Sequence, residues 1–92
     1  MGTALAQLDE EILVREKIAE LTLPDGVKFK RIEQMNDWTG DPSLTIYFGV
    51  SKRRPTSPKS IRELTVMTKT LRKAILDLGL GKFPFFRFED AR

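Results

Sequence analysis

Ninety-two residues with a formal charge of +3, 40% hydrophobic and 32% charged, have the size and composition of one ordinary soluble globular domain spanning 1–92. Cysteine and histidine are both absent, which excludes disulfides, a thiolate nucleophile, a zinc–thiolate site and the commonest general base. No apolar run approaches the roughly 20 residues needed to span a bilayer, and Met1-Gly2-Thr3-Ala4 lacks a basic leader region, so neither a membrane segment nor a secretory signal is expected and a cytoplasmic setting fits.

Residues 3–21 read as a first helix. Leu5, Leu8, Ile12 and Ala19 follow one helical face, Val14, Ile18 and Leu21 widen the stripe, Thr3 is a candidate N-cap, and Glu11 and Arg15 can pair one turn apart. Leu23-Pro24-Asp25-Gly26 ends the helix and turns the chain. Val27 to about Met35 reads as a strand whose phase slips between Phe29 and Ile32. A bulge near Lys30-Arg31 restores the alignment, and a strand covered on both faces is the alternative. Residues 36–43 are dense in turn formers. Leu44–Val50 alternates cleanly, with Leu44, Ile46, Phe48 and Val50 on one face and Thr45, Tyr47 and Gly49 on the other, so a hairpin with a long connection is expected.

A basic loop follows, Ser51 to Lys59. Ser60-Ile61-Arg62-Glu63 matches a capping box, in which Ser60 caps the helix and Glu63 reaches back to the cap amide. Ile61, Leu64, Met67 or Thr68, Leu71, Ala74 or Ile75, and Leu78 continue at helical spacing, and Gly79 is placed to end the helix in the left-handed conformation. Phe85-Phe86-Arg87-Phe88-Glu89 favours a last strand, with Pro84 at its start or on an edge and residues 90–92 frayed. The order is α-β-β-α-β. Two amphipathic helices on one face of a three-stranded sheet make an α+β two-layer sandwich. The third strand lies either beside the second in parallel or beside the first in antiparallel. Phe29, Phe48, Phe86 and Phe88 are the aromatics expected in the core.

Charge is sorted into blocks. Residues 52–82 hold nine bases against only Glu63 and Asp77, whereas residues 1–51 hold five bases against nine acids. Such a field orients a charged partner. The candidate contacts for RNA or another polyanion are Lys52, Arg53, Arg54, Lys59, Arg62, Lys69 and Lys73. Arginine offers a donor fork that matches phosphate, the helix start adds free amides, and Arg62, Lys69 and Lys73 share one helical sector. The competing reading is that these cations only solvate a loop and an outer helix face.

Trp38, Tyr47 and Phe85 are candidate partner contacts. Tyr47 and Phe85 on an open sheet face can stack bases, with core packing or self-association as the alternative. Trp38 is expected to cap one end of the core, or else to anchor a partner. Asp37 and Asp41, with Glu33, have oxygen ligands for a divalent cation, but turn chemistry accounts for them more simply, and no metal or cofactor is expected. Gly79-Leu80-Gly81-Lys82 follows a helix and reads as its cap, not a phosphate loop.

The element order, the hairpin containing Leu44–Val50 and the closing Phe83-Pro84-Phe85-Phe86-Arg87-Phe88 segment resemble small KH-like domains, the ribosome-binding factor A family among them. Over residues 8–89 the resemblance is one of topology and strand character. It implies an RNA-associated protein without catalytic activity. Thr65-Val66-Met67-Thr68 runs through without the glycines of a Gly-x-x-Gly loop, so no binding residue of that family transfers. The expectation is therefore a non-catalytic binding module for RNA or another polyanion. The alternatives are a protein-interaction or homodimerising module using a sheet edge or aromatic face, and a small hydrolase using Asp37 and Asp41.

Overall fold

The computed structural model describes the backbone of residues 3–90 and the side chains of residues 9–90. Helix α1 spans Thr3–Glu20, strand β1 Val27–Asn36, strand β2 Pro42–Val50, helix α2 Pro58–Asp77 and strand β3 Phe83–Asp90, the expected α-β-β-α-β order. The sheet order is β1-β2-β3, with β1 antiparallel and β3 parallel to β2. Of the two placements open for the last strand, the chain takes the one beside β2. Strand β3 includes Asp90, opposite Val50, so that residue is paired and not frayed. Residues 91 and 92 lie outside the described residues.

Local chemistry explains each boundary. A turn closes after α1, where the Val27 amide donates to the Pro24 carbonyl at 3.1 Å and Gly26 takes φ 81°. The β1–β2 register slips between Phe29 and Arg31, so of the two readings open for the broken alternation the chain takes the bulge: Phe29 faces Phe48, Arg31 faces Tyr47, and Lys30 is the extra residue. Helix α2 starts earlier than the capping box implied. Ser57 is the N-cap, its hydroxyl accepting from the Ser60 amide at 3.3 Å, and Pro58 occupies the first turn. Proline fits there because its missing N–H has no helical partner to lose. Ser60 is instead buried inside the helix, and Glu63 turns to Arg54. At the other end the Gly79 amide donates to Leu76 with φ 69°, the expected left-handed stop.

Both helices cover one sheet face. The core joins Val14 and Ile18 of α1, Val27 and Ile32 of β1, Leu44, Ile46 and Phe48 of β2, and Met67, Leu71 and Ile75 of α2. Phe48 is fully buried and meets a ring from each side: Phe29 edge-on at 6.3 Å, Phe86 and Phe88 stacked at 6.4 and 5.8 Å. Three expectations are corrected. Helix α1 docks through Val14, Ile18 and Leu21, leaving Ile12 and Ala19 exposed, because its contacts with β1 and α2 select that flank. Arg15 covers the Phe29 ring at 5.1 Å instead of pairing with Glu11. Phe88 stacks on Phe48 but is 41% exposed, since β3 is an edge strand with no neighbour beyond it. The Thr3 cap and the Leu5 and Leu8 stripe lie outside the described side chains.

The opposite sheet face is open and carries a polar brace. The Arg31 guanidinium lies 3.8 Å from the Tyr47 ring centroid and donates to Glu89 at 2.9 Å, while Lys30 donates to the same carboxylate at 2.8 Å. Tyr47 donates to Glu33 at 3.0 Å, which raises the phenol pKa. The brace therefore ties β1 to β3 across β2. Hydrogen bonds from Arg31 first and Lys30 second hold the Glu89 carboxyl down to about 2.

Two outcomes follow from this packing. Phe48→Ala removes the ring shared by all three strands and is expected to cost about 3–5 kcal/mol in denaturant unfolding. Glu89 binds its proton more readily in the unfolded chain, so its contribution to stability is complete above pH 4.5 and is lost as pH falls towards 2. Wild type should melt above Glu89→Gln at pH 6, with the gap closing between pH 4.5 and 2; a gap that stays constant through that window refutes the brace.

Candidate polyanion-binding surface

The nine bases of residues 52–82 divide into two groups once folded. Three are structural. Arg54 has a side chain only 6% exposed; its guanidinium donates to the Asp25 and Ser60 carbonyls at 2.7 Å each and meets Glu63 at 3.3 Å. It thereby pins the β2–α2 loop to the turn before β1 and to the first turn of α2. The same loop is closed by Ser51, whose amide donates to Gly26 at 2.8 Å, and by Arg54, whose amide donates to Ser51 at 3.1 Å. Lys82 reaches Glu10 of α1 and Gln34 of β1, joining the start of β3 to both. Arg72 lies between the Phe83 and Phe86 rings, 5.8 and 5.4 Å from their centroids.

The other six bases, Lys52, Arg53, Lys59, Arg62, Lys69 and Lys73, are exposed, and none makes an ion pair or side-chain hydrogen bond with a described residue. At about 100° per residue, Lys59, Arg62, Lys69 and Lys73 fall within roughly 80° of one another on α2, opposite Met67, Leu71 and Ile75. From Lys59 to Lys73 the ridge runs roughly 21 Å. Of the two acids of the segment, Glu63 is held by Arg54, whereas Asp77, the last residue of α2, is exposed one turn beyond Lys73. Beside the ridge lies a groove of about 440 Å³ between α2 and the loop that follows α1, floored by Leu21, Leu23, Val66 and Met67 and edged by Lys59 and Arg62.

The expected residues are thus only partly brought together. Lys59, Arg62, Lys69 and Lys73 form the ridge, and Arg53 stays exposed in the loop pinned at its head. Lys52 lines a different cleft, against Glu89 and Asp90 at the end of β3. Arg54 is occupied inside. The start of α2 offers little to an anion, because Pro58 has no amide proton and the Ser60 amide is taken by Ser57.

The aromatic candidates occupy other surfaces. Tyr47 faces the open side of the sheet, but Arg31 already covers its ring. Phe85 lies on the same face in contact with Phe83, ring centroids 5.2 Å apart. Trp38 is 93% exposed in the β1–β2 loop and does not cap the core, because the turn closes through polar groups alone. There Asp37 Oδ1 accepts from the Thr39 hydroxyl at 2.6 Å, the Thr39 amide at 2.9 Å and the Asp41 amide at 3.0 Å, and the Thr39 bond above all lowers the Asp37 pKa. Glu33 is engaged by Tyr47 and Arg31. The described residues contain no cluster of three or more metal-ligating side chains. No described helix is long and apolar enough to cross a membrane.

The chain matches no protein-family model, no curated protein and no solved structure.

The two arginines of the loop should separate cleanly. Arg54→Ala orphans two carbonyls and is expected to cost about 2–3 kcal/mol of stability, whereas Arg53→Ala should stay within about 0.5 kcal/mol of wild type. Urea unfolding of both variants measures the difference.

Proposed function

We propose that this chain is a non-catalytic binding module that contacts RNA or another polyanion through the outer ridge of α2. The observation that carries the reading is the set of four outward, unpaired cations, Lys59, Arg62, Lys69 and Lys73, on one side of a single rigid helix. Arg53 extends it at the head of the helix. A helix held by the core on its opposite side keeps these charges in fixed relative positions, so a phosphate chain gains several contacts at once. Lysine and arginine side chains that lack internal partners retain their full attraction for such a chain. The resemblance to KH-like domains supports RNA as the polyanion, although the contact proposed here runs along a helix without any glycine loop. Contacts of this kind fix position without reading sequence. The protein is taken to act in the cytoplasm, where such a ligand is abundant.

A titration of a short single-stranded RNA at several salt concentrations tests the reading. Four phosphate contacts give a slope of log affinity against log salt of about −3. Lys69→Glu with Lys73→Glu should weaken binding at least tenfold at low salt and flatten that slope. Undetectable binding at low salt, or indifference to the charge reversals, refutes the ridge. Equal affinity for inorganic polyphosphate identifies the ligand as a generic polyanion and not RNA.

A further inference from the structure

The two edges of the sheet are built differently. The β1 edge carries Lys28, Lys30, Arg31 and Glu33 and the bulge at Lys30, the devices that discourage pairing with another strand. The β3 edge carries Phe83 and Phe85 on the open face and Phe88 on the helix side, all three well exposed, with Arg87 as the only charge before Glu89. Among the described residues no strand pairs with that edge. The α2 flank beside it is also apolar at the surface. Ile61 lines the cleft with Phe88, and Leu76 follows Arg72 by one turn on the side that touches Phe83. Five of the ten large hydrophobic side chains left exposed among the described residues, Ile61, Leu76, Phe83, Phe85 and Phe88, therefore border one edge.

We propose that β3 pairs antiparallel with β3 of a second copy, making a two-fold dimer with a continuous six-stranded sheet. The occupant is specified by self-complementarity along the strand. A two-fold axis normal to the sheet keeps open face beside open face, so facing residues must share parity. With Phe86 on the axis, Arg87 of each copy faces Phe85 of the other, and Phe88 faces Pro84. Cation over ring is favourable in both halves of the interface. Moving the axis to Arg87 sets two guanidinium groups directly opposite each other, which is unfavourable. The same axis sets the two α2 helices side by side, with Ile61 of one copy towards Leu76 of the other. An interface of this kind uses the same patch on both copies, as two-fold symmetry requires.

Analytical ultracentrifugation of the full chain at tens of micromolar tests the pairing and its register together. Wild type should sediment as a dimer. Phe85→Lys sets lysine against Arg87 twice and should raise the dimer dissociation constant at least tenfold. Phe85→Glu sets glutamate against Arg87 and should keep the dimer. Leu76→Lys, outside the strand, should weaken it as Phe85→Lys does, and circular dichroism establishes that each variant is folded. A monomeric wild type overturns the proposal, as do Phe85→Lys and Phe85→Glu variants that behave alike. These residues lie off the cationic ridge, so loss of the dimer and loss of RNA binding are separately visible.

Discussion

Two helices can cover only one face of a three-stranded sheet, and most of this structure answers that constraint. Strand β2 lies between two neighbours and carries its apolar alternation towards the helices, with Leu44, Ile46 and Phe48 fully buried. The opposite face must then be compatible with water without a covering layer. Arg31, Tyr47, Glu33, Lys30 and Glu89 achieve this by bonding to one another across all three strands. The guanidinium over Tyr47 shields the ring while its donors satisfy Glu89. That arrangement has a functional consequence. A tyrosine whose face is occupied by arginine cannot also stack on a base, so the open sheet face loses the aromatic platform that its strand position suggested.

Charge is partitioned by the same logic. A block of nine bases invites one continuous binding surface, but a helix that packs on a sheet must also fasten its own ends. Arg54 fastens the loop before α2, and Lys82 fastens the strand after it. Arg72 covers ring faces where α2 crosses the sheet edge. Cations near the helix–sheet junctions are drawn into architecture; those on the side of α2 turned away from the sheet are not. The ridge is what remains when the structural charges are removed, and its residues come from the helix rather than from the loop.

Local signals in the sequence were sufficient for local features. The bulge at Lys30 was visible as a broken period, the stop at Gly79 as a glycine after an apolar stripe, and the outward position of Tyr47 as strict alternation. The true helix start was also written locally, in Ser57-Pro58, but the Ser60-x-x-Glu63 pattern offered a competing cap. Glu63 could be assigned to Arg54 only once the loop was folded against the helix. Most of the remaining differences are long-range. Which flank of α1 docks depends on β1 and α2. Whether Phe88 is enclosed depends on β3 being an edge. Trp38 is exposed because Asp37, Thr39 and Asp41 satisfy the turn among themselves, leaving the indole nothing to pack against. The brace between Arg31 and Glu89 joins residues 58 positions apart and required the strand order, which the sequence left open between two solutions.

The edges and the ridge bear on each other through symmetry. A helix-covered face and a bare face cannot both be presented to the same ligand, and a two-fold axis normal to the sheet does not exchange them. In the proposed dimer both α2 helices therefore remain on one side, side by side, with their cationic ridges turned outwards in the same direction. Pairing through β1 would also leave the helices on one side, but it would separate the two ridges by the width of four central strands. The edge that is apolar is thus also the edge whose closure brings the two ridges nearest to each other. A polyanion long enough to cross the axis would meet twice the number of cations at a fixed spacing, and its second set of contacts would form at high effective concentration. The asymmetry between a guarded β1 edge and an aromatic β3 edge is in this sense coupled to the asymmetry between a buried and an exposed side of α2.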